Sequence, residues 1–201
     1  MEWRDLFETQ HSHVNSAELG PVPISYQDLV LKDLDPAQVR CVPRPNLNSI
    51  AWLLWHMARS EDVAVNAVIC DADQVLDAAW RRDLRVDRVD IGTGMTADEV
   101  AAMSAAVDVD ALIAYRLAVA RQTRVAMAEF DDERLAVPAM AASQVEHLRD
   151  MGVFGPHAGH IPGFWSTKPL IWFLWLPTGH CYAHLGEAVT VRSELEAADA
   201  L

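Results

Sequence analysis

His180 and His184 stand four residues apart in Gly179-His-Cys-Tyr-Ala-His-Leu-Gly-Glu187. On a helix that spacing puts both imidazoles on one face with Cβ atoms about 5–6 Å apart, so the two rings can converge on a single ion. Such pairs also occur on helices that bind nothing, so the pair needs a third donor before it means much. His56 is the candidate. It interrupts an apolar stretch, Trp52-Leu-Leu-Trp-His-Met57, and a histidine buried there must find partners for its ring nitrogens. Two readings stand side by side: a core histidine satisfied by a backbone carbonyl, or a third metal ligand facing His180 and His184. Three neutral imidazoles with one position left open make a catalytic rather than a structural metal site. Glu187 follows His184 by three residues and His180 by seven. It therefore shares their helical face, where it can orient a ligand or act as the catalytic base.

The remaining candidates read more plainly. His11 and His13 lie near the N-terminus and are expected at the surface. His147, in Glu-His-Leu-Arg-Asp, reads as part of a solvated face. His157 and His160 occupy a Gly/Pro-rich loop that fixes no spacing between them. Glu61 and Asp62 are expected on the wet side of the helix that carries His56, with Glu61 near the mouth of the site. Cys181 adjoins His180 but points about 100° away from it on a regular helix, so it is not expected to be a ligand. Trp52, Trp55, Trp172 and Trp175 read as core before they read as a ligand platform. No Ser-His-Asp spacing or GxSxG elbow is present, and Gly92-Thr-Gly94 lacks the context of a dinucleotide-binding turn.

The elements that must position these groups are helical wherever the sequence is periodic. Asn48 to about Cys70 runs without Gly or Pro and opens on Asn48 or Ser49 as a cap. Thr96-Ala-Asp-Glu99 is a capping box that predicts a helix to about Val107. Asp108 or Asp110 opens a longer helix that ends near Phe130. Thr167 and Pro169 predict a last helix reaching about Leu195, kinked at Pro177 roughly one turn before His180. An N-terminal helix is split by Gly20, Pro21 and Pro23, so its core packing is expected from Tyr26 to Leu34. Val39–Leu47, Asp87–Thr96 and Gly152–Trp165 read as irregular. With no alternating strand pattern, the expectation is an all-α chain of four main helices with long connections, residues 1–201 forming one domain.

Composition narrows the partners. The chain has 201 residues, 51% of them apolar, and a formal charge of −13. That charge, with no basic run, argues against nucleic acid. Three scattered cysteines do not make a disulfide framework. The start of the chain lacks the apolar core of a signal peptide, and Pro169–Pro177 is too short an apolar run to span a bilayer. The expected setting is cytoplasmic, without membrane or nucleic acid and with a small-molecule substrate.

Ser49–Val63, the Asp-Ile-Gly-Thr-Gly-Met-Thr loop at Asp90–Thr96, and Gly179–Arg192 together resemble the DinB-like metal-binding superfamily, with the likeness extending from about Leu29 to Arg192. The resemblance implies a four-helix bundle in up-up-down-down order. It also implies a divalent ion near one end, commonly zinc or nickel, held by His56, His180 and His184, and a possible homodimer. Relatives of this kind include mycothiol-dependent maleylpyruvate isomerases and bacillithiol S-transferases. The chemistry implied is therefore activation of a low-molecular-weight thiol for transfer to an electrophile. Hydrolysis on the same triad, or metal binding without catalysis in a stress response, remain the alternatives. Sulfoxide synthases also carry such a bundle, but with a large second domain for which 201 residues leave no room.

Overall fold

A computed structural model describes residues 3–20, 22–135, 137 and 140–199 of the chain, and every regular element among them is helical. In order they are α1 (Trp3–Val14), α2 (Tyr26–Leu31), α3 (Pro36–Arg40), α4 (Ile50–Asp62), α5 (Ala78–Leu84), α6 (Ala97–Ala106), α7 (Val109–Ala128), α8 (Asp132–Leu135), α9 (Ala142–Asp150), α10 (Ile161–Trp165) and α11 (Cys181–Asp199). Helix α4 continues into a wide π turn over Val63–Ile69, and α11 is preceded by a 3-10 segment, Leu170–Trp175, and a second π turn, Leu176–His180. Among the described residues no helix is long and apolar enough to cross a membrane.

The helix starts follow local chemistry. Ser49 caps α4 by accepting from Trp52 N, Thr96 and Glu99 close the expected capping box of α6, and Asp108 accepts from Ala111 N to open α7. Helix α4 is the centre of the bundle, packing against α7, α11 and the Leu176–His180 turn. Ile50, Leu53, Trp55 and Met57 have no exposed surface at all. Removing an aliphatic side chain of this size from water contributes about 1.5–3 kcal/mol, so α4 is where the bundle gains much of its cohesion.

Several expectations need correction. The N-terminal helix forms at Trp3–Val14 and buries Phe7, His11 and Val14, whereas α2 is only six residues long; Pro21 lies outside the described residues. Residues 36–40 form a helix, so the irregular stretch begins only at Cys41, and Ile161–Trp165 puts a helical turn into the Gly/Pro-rich loop.

The largest correction concerns Glu61 and Asp62, which, like Arg59 on the same helix, are buried and not wet. Because α4 is surrounded on all sides, its charges must be matched internally. Arg59 donates to Asp62 Oδ2 (2.8 Å) and to the Val89 carbonyl (2.7 Å), and Tyr115 donates to the same Asp62 oxygen (2.7 Å). Asp62 also accepts from the backbone N–H groups of Val75 (2.8 Å) and Leu76 (3.0 Å) and from Asn66 (2.8 Å), which fastens the connection after α4 to the helix. His11, expected at the surface, pairs with Glu61 at 2.7 Å with both side chains fully buried. Burial alone would raise the Glu61 carboxyl. His11 and Arg116 beside it outweigh that and hold it below the usual range.

Candidate metal centre

His56 projects from the middle of α4. Its ring stacks on Trp52 at 5.0 Å and 8°, and its Nδ1 donates to the Ile91 carbonyl at 2.5 Å. That carbonyl belongs to the Asp90–Thr96 loop. Asp90 shapes the loop by accepting from Gly92 N (2.7 Å), and Ile91 N ties it to the Val153 carbonyl (2.8 Å). Gly92 has φ +82°, a left-handed conformation that glycine adopts without strain, and its open side lies in contact range of the Trp52 indole.

His180 is the last residue of the π turn and His184 lies in the first turn of α11. Pro177 is the local cause of the irregularity: it has no N–H to donate and cannot continue a regular ladder. The expected kink is thus a change of winding, from 3-10 through π to α. The hydroxyl of Thr178 accommodates it by donating to the Leu174 carbonyl at 2.8 Å. His184 Nδ1 donates to Glu187 Oε2 (3.0 Å), and Asn48 donates to the other carboxylate oxygen (2.9 Å).

The three rings meet at their Nε2 atoms. His180 Nε2 lies 3.0 Å from that of His56 and 3.1 Å from that of His184, and the three donor atoms all lie within 4.8 Å of one another. The outer hydrogen bonds assign the tautomers: with Nδ1–H given to Ile91 and to Glu187, His56 and His184 both turn a lone pair inward. His180 Nε2 can carry one hydrogen at most, so the three nitrogens cannot satisfy each other. A cation among them satisfies all three, and the donor set therefore fits a metal ion. Burial, reinforced by the neighbouring His184, lowers His56 to about 4. Burial, reinforced by His56 and His184, lowers His180 to about 2. Both rings are neutral near pH 7, as ligands must be. The hydrogen bond from His184 holds the Glu187 carboxyl below its ordinary value, with Asn48 acting in the same sense.

Other sequence candidates fall elsewhere. Cys181 is buried and its thiol points to the Leu176 carbonyl (3.4 Å). His157 and His160 are exposed and join no ligand cluster among the described residues, and His147 is exposed as expected. Trp55 is core, but Trp172 and Trp175 are not only core: with Phe164, Trp165 and Leu176 they wall a pocket of about 530 Å³ whose floor includes His56 and His180. Ser60 from α4, Ile91 and Thr93 from one loop and Ile161 from the other complete it. The sequence reading missed Asn48 as a partner of Glu187. Its position beside Ser49 offered two cap candidates for one cap, and Ser49 alone takes that role.

Three convergent histidines on a helical bundle make a site that can hold a metal ion. The chain belongs to the DinB superfamily, whose family model matches residues 26–188. Its structure is similar to the crystal structure of a conserved protein from Enterococcus faecalis, with a TM-score of 0.64 and 17% identity over 98% of this chain and 99% of that one. At that identity the likeness speaks for the fold alone. No curated protein matches the chain.

Glu187 provides a test of the outer hydrogen bonds. Glu187→Ala should keep the three donors but release the His184 ring, weakening metal affinity about 10–100-fold. Chelator competition on the purified variant measures this, and an affinity within twofold of the parent would show that His184 needs no support from the carboxylate.

Proposed function

We propose that this chain is a metal-dependent enzyme that holds one divalent ion, zinc or nickel, through His56, His180 and His184 and activates a low-molecular-weight thiol for transfer to an electrophile. The observation that carries the reading is the position of the donors. Three imidazole nitrogens converge beside an open pocket that His56 and His180 line, with no fourth protein ligand grouped with them among the described residues. When bound, the ion supplies Lewis acidity that favours thiolate over thiol near neutral pH. The thiol step itself rests on the resemblance to thiol-dependent relatives.

The chain's own residues divide the remaining work. The Ile91 carbonyl and the Glu187 carboxylate fix His56 and His184 in the tautomers that direct Nε2 inward. Glu187 acts in this reading through His184, as a positioning residue, because the polar groups on the pocket wall are instead Ser60 and Thr93. In this reading their hydroxyls would hold a substrate oxygen or pass a proton.

Steady-state assays of the purified chain with a thiol panel and 1-chloro-2,4-dinitrobenzene test the proposal. Thiol consumption should depend on the protein and fall to the uncatalysed rate in His56→Ala. Metal-loaded protein that consumes no thiol above the blank would overturn it, and turnover of an ester panel in that same sample would assign hydrolysis instead.

A further inference from the structure

Ser60 stands four residues after His56 on α4 and lines the same pocket. At that spacing the two side chains share a helix face. A helical side chain leans back over the preceding turn, so the Ser60 hydroxyl is carried toward His56. The residue is only 1% exposed, yet its hydroxyl makes no hydrogen bond among the described residues.

That is unusual for a serine inside a helix, which ordinarily bonds the carbonyl four residues earlier when it does not face solvent. Ser12 does so with Glu8 (3.0 Å), Ser104 with Val100 (2.6 Å) and Thr178 with Leu174 (2.8 Å). Thr123 also lacks that bond, but it has the Glu61 carboxylate beside it. Ser60 takes neither course. A hydroxyl buried and left unpaired costs stability, and its hydrogen is free for whatever occupies the pocket. Thr93, the other hydroxyl on the wall, is only half-buried, so solvent can serve it. Apart from these two residues and the histidines, the lining side chains are apolar or aromatic. A polar atom brought deep into the pocket therefore has few partners to choose from.

We propose that Ser60 determines which electrophiles this site takes: its hydroxyl donates to an oxygen acceptor, such as a carbonyl, carried on an otherwise apolar molecule. The inference deepens the thiol-transfer reading and rests on the pocket beside the three histidines being the substrate site.

Two unreactive probes test it. Acetophenone and ethylbenzene share a ring and a shape and differ in the oxygen. Each is titrated into the full chain as purified and followed by the indole N–H resonances. Ser60→Ala should weaken acetophenone about 3–10-fold, the loss of one hydrogen bond, while ethylbenzene stays within about twofold. The same variant separates this role from a structural one. Removing an unpaired hydroxyl should leave the urea midpoint of the ligand-free chain unchanged or raise it, whereas removing a bonded one would lower it. A lowered midpoint would overturn the proposal. So would a parent that does not bind acetophenone, equal effects on both probes, or a selective loss of acetophenone in Thr93→Val with none in Ser60→Ala. Thiol turnover in the same preparation keeps the two readings apart. The Ser60 effect without turnover removes thiol transfer alone, and turnover without the Ser60 effect removes the assignment of Ser60 alone.

Discussion

His180→Ala should lose most of the divalent metal that the purified parent carries at about one ion per chain. Its Nε2 is the atom closest to both others, at 3.0 Å and 3.1 Å, so its removal leaves two imidazoles with nothing between them. Losing a direct ligand should weaken affinity by more than the 10–100-fold typical of an outer-shell change, that is, by at least about 100-fold. Elemental analysis after dialysis reads the result directly, and equal metal in parent and variant would sink the triad. Cys181→Ser is the matched control and should retain full metal. Burial pushes that thiol up to about 11, far from the thiolate a ligand must be, and it faces the Leu176 carbonyl.

The second large effect is on stability. Asp62→Ala leaves Arg59 charged and buried, and deprives Tyr115, Asn66 and the Val75 and Leu76 amides of their acceptor. Breaking a buried pair from one side costs about 3–5 kcal/mol. A domain of this kind has about 5–15 kcal/mol in total, so the variant should unfold at a much lower urea concentration. Replacing both partners, as Arg59→Met with Asp62→Leu, should recover part of the loss, because no orphaned charge remains. The solvent-facing pair Arg82–Asp83 gives the contrast: Asp83→Ala should leave the midpoint almost where it was. An Asp62→Ala midpoint equal to the parent's would show that the buried network contributes nothing to the fold.

What could be read from the sequence was local. The caps at Ser49, Thr96 and Asp108 depend on hydrogen bonds three residues along the chain, so residue type and spacing reveal them. The His180–His184 pair is legible for the same reason, and His56 is legible because an imidazole in an apolar stretch demands a partner. What stayed hidden was set by distant partners. His11 finds Glu61 across 50 positions and Arg59 finds the Val89 carbonyl across 30, and no local pattern separates such charges from a wet helical face. Trp172 and Trp175 were misjudged for a geometric reason. An α-helical wheel would bury both, whereas the 3-10 and π winding turns them toward a pocket.

The π turn at Leu176–His180 separates two jobs that share one stretch of chain. A π turn holds one residue more than an α turn, and one residue of helix corresponds to about 100° of rotation. Deleting a residue there would swing the Trp172–Trp175 segment by roughly that angle relative to α11 while leaving His180 and His184 in register with each other. The winding thus acts as a joint between a fixed donor pair and an adjustable wall. Substitutions upstream of Leu176 can reshape what the pocket accepts without disturbing the histidines, so relatives that keep the same three donors are free to differ in what they bind.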